Sequence, residues 1–416
     1  MLHQCLDRRE FVVGLLSAAG LSALARAAEE KLPPVRAITK GPKFHWFGYY
    51  DKWEFDPTDR YVLGMEVEFE HRSPRPDDVI KIGMVDLQDN DRWIELGQSK
   101  AWGWQQGCML QWRPGSKTEV VWNDRDGDHF VCQLVDVKSG KKRTLPHPVY
   151  TLSPDGKTAL GLDFRRVNDM RPGYGYAGLQ DPNRDILAPK DSGIYRLDLD
   201  TGKAETIVAI ADVLPIKPHP EDLSKKKHYF NHLLYNTDGS RFIFLHRWGP
   251  PGGRWGGGTR GLTADAAGKK LFCWDPSGGT SHFVWRDPRT ILVWTKDPDD
   301  LKRSAFLLFE DQSDKHEVIG KGVMTVNGHC TYLPGNEWIL NDTYPDAARN
   351  QNPYLYNVKS GKAAPLGHFR SPPEYRGEWR CDTHPRFSHD GKKVVIDSPH
   401  GDNGRQLYLI DISGIV

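Results

Sequence analysis

The sequence predicts an all-β chain closed as a seven-bladed β-propeller. Three observations carry that prediction. One unit, made of a turn, a hydrophobic strand, a polar turn and a second strand, is written seven times. The copies lie about 40 to 55 residues apart, the period of propeller blades, with one longer gap between units three and four. The 41 Gly and 29 Pro suit many tight turns rather than long helices.

Unit one has FDPTDRYVLGM at Phe55 and GMVDLQDND at Gly83. Unit two has QWRPGSKTEVVW at Gln111 and QLVDVKSGK at Gln133. Unit three has LSPDGKTALGL at Leu152 and YRLDLDTGK at Tyr195, and unit four has YNTDGSRFIFL at Tyr235 and LFCWDPSGG at Leu271. Unit five has VWRDPRTILVW at Val284 and FLLFEDQSDK at Phe306, and unit six has YLPGNEWILND at Tyr332 and YLYNVKSGK at Tyr354. Unit seven runs from Cys381 to Ile412 and supplies three clear strands. Pro34 to Thr39 is expected to add the fourth and clasp the ring, since a single blade cannot bury both its faces. A pair of β-sandwiches, the rival fold, explains so regular a repeat poorly.

Residues 1–27 read as a separate leader. Arg8 and Arg9 precede Phe11, an apolar run from Val12 to Leu24, and small residues at Ala25-Arg26-Ala27. This pattern predicts a twin-arginine signal peptide and a periplasmic or secreted product, with residues 28–416 as one propeller domain. The apolar run is too short to span a bilayer. A formal charge of +1 gives no reason to expect a nucleic acid or an anionic membrane as partner. Of six Cys, Cys5 leaves with the leader; the rest are widely spaced and lack a CxxC pair, which argues against a disulfide framework. A monomer or weak oligomer is expected. Two insertions, 165–191 and 248–261, are rich in Arg, aromatic residues and Gly, and are expected to form loops over one mouth of the ring.

Aligned on their first turns, four successive units share a histidine. His232 and His384 stand six positions before Asp238 and Asp390, His282 five before Asp287, and His329 six before Gly335. This register opens the innermost strand, so neighbouring blades bring these imidazoles together at the axis. Such a set suits a metal site, a catalytic site, or both. Asp382 offers an oxygen ligand, while Cys330 and Cys381 would add sulfur and favour zinc; a His/Asp set alone suits manganese, iron or zinc. In unit one, FHWFGYYDKWEF (Phe44 to Phe55) places His45, Tyr49, Tyr50 and Asp51 near the same mouth. Its aromatic faces suit a sugar platform, with packing between the first and last blades as the alternative. Trp104, in WGWQQG, invites the same comparison.

HLLYNTDGSRFIFLH, SHFVWRDPRTILVW, GHCTYLPGNEWILND and THPRFSHDGKKVVIDS resemble consecutive blades of the oligogalacturonate lyase propellers and, more loosely, the ulvan lyases. The resemblance covers Tyr229 to Ile412; the first half is unlike that family. It implies His232 as the catalytic base and His282 and His384 as ligands of a divalent metal, manganese in that family. The family's last blade has a Gln and a second His just before the matching one; this chain has Trp379 to Thr383, with Asp382 and Cys381 as the ligand types there. The implied reaction is β-elimination on an acidic poly- or oligosaccharide containing uronic acid. A base removes the proton α to the carboxylate, a cation neutralises that carboxylate, and a donor protonates the leaving oxygen. His282, His329, His384 and Asp382 would hold the metal. Arg165, Arg166, Arg247 or Arg254 would assist with the carboxylate, and Tyr49, Tyr50 or Tyr174 would donate the proton. His45, Tyr49, Trp104, Arg254 and Tyr174 are the expected sugar contacts, and Tyr50, Arg247 and Arg165 the expected catalytic partners of His232. A glycoside hydrolase, which needs two carboxylates across the bond, and a non-catalytic glycan- or protein-binding propeller are the alternatives.

Overall fold

The computed structural model describes residues 31–416 apart from 218, 220 and 252–256. The expected leader and Arg254 therefore lie outside the described residues. Seven antiparallel four-stranded sheets follow one another along the chain and form the blades of a propeller. Blade one uses Phe44–Trp46, Tyr61–Val67, Ile80–Asp86 and Arg92–Ser99, from axis to rim. Blade four uses Lys227–Tyr235, Arg241–Gly249, Thr259–Asp265 and Phe272–Asp275. The innermost strands of blades five, six and seven are Phe283–Trp285, Thr331–Tyr332 and Arg386–Phe387.

The second strand of each blade explains why the sequence shows hydrophobic runs rather than alternation. Phe242, Ile243, Phe244 and Leu245 are consecutive and all buried, as are Ile291, Leu292 and Val293. A strand covered on both faces has no solvent side to make polar. Each such side chain contributes roughly 1.5–3 kcal/mol through burial, an upper bound because denatured chains already bury part of it. The repeated Asp-Gly turns close by the same contacts. Asp390 Oδ1 accepts from Lys392 N at 2.9 Å and from Ser388 Oγ at 2.6 Å, and Asp155 Oδ1 repeats this with Lys157 N and Ser153 Oγ at 3.1 and 2.6 Å. Gly156 in that turn has φ +66°, and a Cβ there would meet Pro114 O at 2.0 Å, so only Gly fits.

The ring closes as the sequence predicts. Val35–Ala37 pairs with Gln406–Asp411 as the outermost strand of blade seven, Val35 opposite Ile410 and Ala37 opposite Tyr408. Inside that seam, Arg386 carries a buried ion cluster. Its Nε lies 2.9 Å from Glu54 Oε2 and its Nη2 2.7 Å from Asp397 Oδ1. Asp397 in turn accepts from Gly48 N at 3.0 Å. Blades one and seven are thus tied by charge as well as by strand pairing.

The insertion after blade three's second strand is not a bare loop. It starts with helix α1 (Phe164–Met170), capped by Asp163, whose carboxylate accepts from Arg165 N at 3.0 Å. Arg166 on α1 is buried and gathers the segment, donating to Asp181 at 2.9 Å and to four backbone carbonyls, those of Asn183, Ile186, Leu187 and His228. Arg260, within the second insertion and on the strand Thr259–Asp265, does the same, donating to His246 and to the carbonyls of Val213, Ile216 and Lys217. Both arginines are structural. Among the described residues no helix is long and apolar enough to cross a membrane.

Arg386→Met should lower the unfolding free energy by about 3–5 kcal/mol, because Glu54 and Asp397 would be left as unpaired buried carboxylates. Urea denaturation followed by tryptophan fluorescence measures this; a change below about 1 kcal/mol would show that the seam does not rest on the cluster.

Candidate metal centre

The four register histidines meet at the axis. The rings of His282 and His329 lie 4.1 Å apart, and those of His329 and His384 4.2 Å apart. His282, His329 and His384 stand just before their inner strands, whereas His232 lies within Lys227–Tyr235, at a bulge between Asn231 and Leu234. Backbone handedness aims two of these rings. His232 and His384 have φ of +53° and +40°, a conformation that costs a non-glycine residue of order 1–3 kcal/mol and persists only where the surroundings impose it. Met109 takes the same conformation just before blade two's inner strand (φ +57°), so blade two presents sulfur and methyl where others present imidazole.

His329, Asp382 and His384 bring one nitrogen, one oxygen and one nitrogen within 4.8 Å of one another, all buried. His329 Nδ1 is held by Asp342 Oδ1 at 2.9 Å, which leaves Nε2 as the lone-pair nitrogen. Burial works against charge on His329, but Asp342 outweighs it and raises its pKa. Burial and the neighbouring His329 push His384 and His282 well below the usual imidazole range, so both are neutral, the ligating form. His329 Nε2 and His384 Nε2 are buried with no hydrogen-bond partner among the described residues. Each orphaned nitrogen costs roughly 1–3 kcal/mol, and a divalent cation would satisfy both. The residues present therefore fit a metal, and the N, N, O donor set suits manganese, iron or zinc.

Three expected ligands stand apart from this group. His282 is turned aside by Asn327, whose Oδ1 lies 3.1 Å from its Nδ1. Cys330 and Cys381 are buried, and among the described residues no cysteine joins the group. Burial raises both thiols, which removes the sulfur argument for zinc.

His232 is wholly covered and engaged at both ring nitrogens. Its Nε2 faces Asp51 Oδ2 at 3.1 Å, and its Nδ1 faces the Tyr49 hydroxyl at 3.3 Å. Burial disfavours the Asp51 carboxylate, yet Lys52, at 2.8 Å, and His232 hold it down to about 2. Burial lowers His232 to about 4, with Asp51 offsetting only part. The imidazole is thus neutral, donating Nε2–H to Asp51 and accepting the Tyr49 proton at Nδ1, a tautomer assigned from its partners. Tyr50 is locked as well: its hydroxyl donates to Phe283 O at 2.9 Å and accepts from Phe283 N at 3.0 Å.

The mouth above these rings is cationic. Arg247 is half-buried and donates through Nε to Asn231 Oδ1 at 2.8 Å. Arg380 bridges inward, Nε to Asp382 Oδ2 at 2.7 Å and Nη2 to the Tyr174 hydroxyl at 2.7 Å. Arg171 reaches the same hydroxyl at 3.3 Å.

Other expected site residues are placed elsewhere. Arg165 turns away on α1 and is held by Asp163 at 2.8 Å. His45 is buried in the seam between Gln406 and Glu66, at 2.9 and 3.2 Å. Trp104 is a core ring, 1% exposed, with Nε1 donating to Arg72 O; neither it nor Trp46 forms a sugar platform. Sequence reasoning missed Asp342, Arg171 and Arg380. Asp342 had a signal: it stands seven residues after the turn Gly335, as Asp163 does after Gly156. Arg171 had only the general signal of its place in the Arg-rich insertion 165–191 expected at the mouth, and Arg380, in an irregular segment just before unit seven, had none.

The fold and its axis define a seven-bladed propeller carrying a buried histidine–carboxylate group. The solved structures it is similar to include an oligogalacturonate lyase from Vibrio parahaemolyticus, at 13% identity and TM-score 0.62 over 92% of this chain and 96% of that one. They include an oligogalacturonate lyase in complex with manganese, at 14% identity and TM-score 0.64 over the same shares. They also include the propeller domain of the Trilobed protease from Pyrococcus furiosus, at 10% identity and TM-score 0.50 over 88% of this chain and 96% of that one. The fold is that of the oligogalacturonate lyase propellers. A scan against protein-family models and a search of curated proteins gave no match.

His384→Ala and His329→Ala should each remove most bound manganese or zinc, read by metal analysis after dialysis. Asp342→Asn should keep the ligands and weaken affinity by about 10–100-fold in calorimetric titration. Unchanged metal content in all three variants would make the group structural.

Proposed function

We propose that this chain is an exported, metal-dependent lyase that cleaves a uronic-acid-containing poly- or oligosaccharide by β-elimination. The observation that carries it is the pair of partnerless buried nitrogens, His329 Nε2 and His384 Nε2, beside Asp382 and beneath the half-buried Arg247 and Arg380. The manganese complex of a structurally similar lyase supports the same reading. Arg8, Arg9 and the apolar run after them support export.

His329, His384 and Asp382 would hold the cation, with His282 beside them. When bound, the cation supplies positive charge that neutralises a uronate carboxylate and acidifies the proton next to it. Arg247 and Arg380 present guanidinium donors to the same anionic substrate, a match for carboxylate oxygens. Asp342 orients the His329 ring. His232 and Asp51 hold the Tyr49 hydroxyl in place. Because His232 is fully covered with both nitrogens engaged, it acts through Tyr49 and not on the sugar directly.

The hydrolase reading loses ground on the same geometry. It needs two carboxyl groups free to act across a bond. The axial carboxylates are each committed: Asp51 to Lys52 and His232, Asp342 to His329 and Thr383, Asp382 to Arg380.

Incubation with polymers of galacturonate, glucuronate and guluronate should raise the ultraviolet absorbance of an unsaturated uronate with at least one of them. A chelator should abolish the rise and added manganese should restore it. New reducing ends without that absorbance would identify a hydrolase instead.

A further inference from the structure

We propose that Tyr174, its phenol oxygen gripped by Arg171 and Arg380, is the general base of this elimination. The proposal rests on the lyase reading above and names a residue for which sugar contact or proton donation is the sequence expectation. Two guanidinium groups address one oxygen: Arg380 Nη2 at 2.7 Å and Arg171 Nη2 at 3.3 Å. The Arg171 guanidinium also lies over the ring, 4.3 Å from its centroid. An oxygen that accepts two cationic donors is arranged to carry negative charge, as a phenolate does.

The alternatives at the axis are closed. Both His232 ring nitrogens are engaged, the Tyr49 hydroxyl is bonded to one of them and burial holds it well above the usual phenol range, so it stays protonated, and the Tyr50 hydroxyl is locked to the Phe283 backbone. Tyr174 is also well placed. Arg380 spans from Tyr174 to Asp382, so the phenol oxygen sits one guanidinium away from the metal-binding group. Gln105 fixes that bridge from behind, donating to Arg380 O at 3.0 Å and to Glu378 O at 2.9 Å.

Charge agrees with geometry. Burial raises the phenol, but Arg171 and Arg380 outweigh it and bring Tyr174 down to about 7. Arg247 from blade four also faces it. The other titratable groups whose charge reaches it are Asp382 from blade seven, Tyr49 from blade one, Tyr150 from blade three, and Tyr344 and His329 from blade six.

In the proposed step the Tyr174 oxygen takes the proton from the sugar carbon α to the carboxylate. The electron pair of that C–H bond forms the new C=C bond. The neighbouring C–O bond breaks, and its pair leaves with the glycosidic oxygen. That oxygen is protonated by the proton Tyr174 has just gained, which returns the phenolate and leaves no net change in the protein.

The test compares wild type with Tyr174→Phe, both loaded with manganese, on the uronate polymer the wild type cleaves. The variant keeps the ring and should keep fold, metal content and KM, while kcat falls by about 10²–10⁴-fold. Wild-type kcat should rise with pH through about 7, as the base form accumulates, and the variant's residual rate should not follow that rise. Independently of substrate, the phenolate absorbance band should grow in with pH near neutrality in wild type and be missing from the variant. Wild-type kcat in Tyr174→Phe, or no tyrosine ionising near neutrality, overturns the assignment of the base alone. Failure of the wild type to cleave any uronate polymer overturns the elimination reading and this proposal with it.

Discussion

Ring closure is the constraint on which the rest of this structure depends. The three-residue pairing of Val35–Ala37 with Gln406–Asp411 joins the two ends of the chain. Behind it, Arg386 bonds Glu54 and Asp397 across the same seam. The axial group is assembled from separate blades: Tyr49 and Asp51 from the first, His232 from the fourth, His282 from the fifth, His329 from the sixth and His384 from the seventh. No pair of neighbouring strands holds more than a fragment of it. A chain that failed to close would therefore lose the site before it lost most of its secondary structure. Closure depends on contacts as distant in sequence as Phe47 to Asp397, and such pairings are entropically costly.

What closure makes possible is an axis far more polar than a propeller needs for stability. Asp51, Lys52 and His232 form one buried set, His329 and Asp342 a second, Arg380 and Asp382 a third. Buried ion pairs seldom add net stability over well-packed apolar residues of the same size. Two of the imidazoles also sit on left-handed backbone, and two of their ring nitrogens lack partners among the described residues. On His384 all three coincide, left-handed backbone, burial and a ring nitrogen without a partner among the described residues, whereas the Leu, Ile, Val and Phe of the blade cores carry no such polar burden. That concentration is what a preorganised site looks like.

The repeat made much of this legible in the sequence. The turn-and-strand period fixed the blades, the short segment at Pro34 fixed the clasp, and the shared register of four histidines fixed their convergence. The same logic failed where direction is set by something other than the period. His45 and Trp104 share the aromatic character of Tyr49 but point into the seam and core. Arg165 and Arg166 are adjacent, yet successive residues on a helix face about 100° apart; one pairs with its own cap residue and the other staples a loop. Tyr50 looked free for chemistry because nothing in a sequence reveals that a backbone amide and carbonyl will take its hydroxyl. Arg171 and Arg380 lay in irregular segments, where no alignment of units could assign them a place.

The neighbours in fold space sharpen what the axis has to explain. One scaffold serves an oligogalacturonate lyase and also a protease's propeller domain, so the blades themselves do not specify chemistry. Chemistry must come from what the inner strands and insertions present to the channel. Here the carboxylates are spent on orienting and neutralising other groups, which leaves little for acid–base hydrolysis. The cations and phenols are arranged the other way, with guanidinium groups at the mouth and a tyrosine oxygen held between two of them. The proposed elimination calls for that polarity, since it draws a proton from a carbon beside a carboxylate. In that proposal the anion is met by positive charge, and the oxygen assigned to receive the proton is stabilised in the form that can take it.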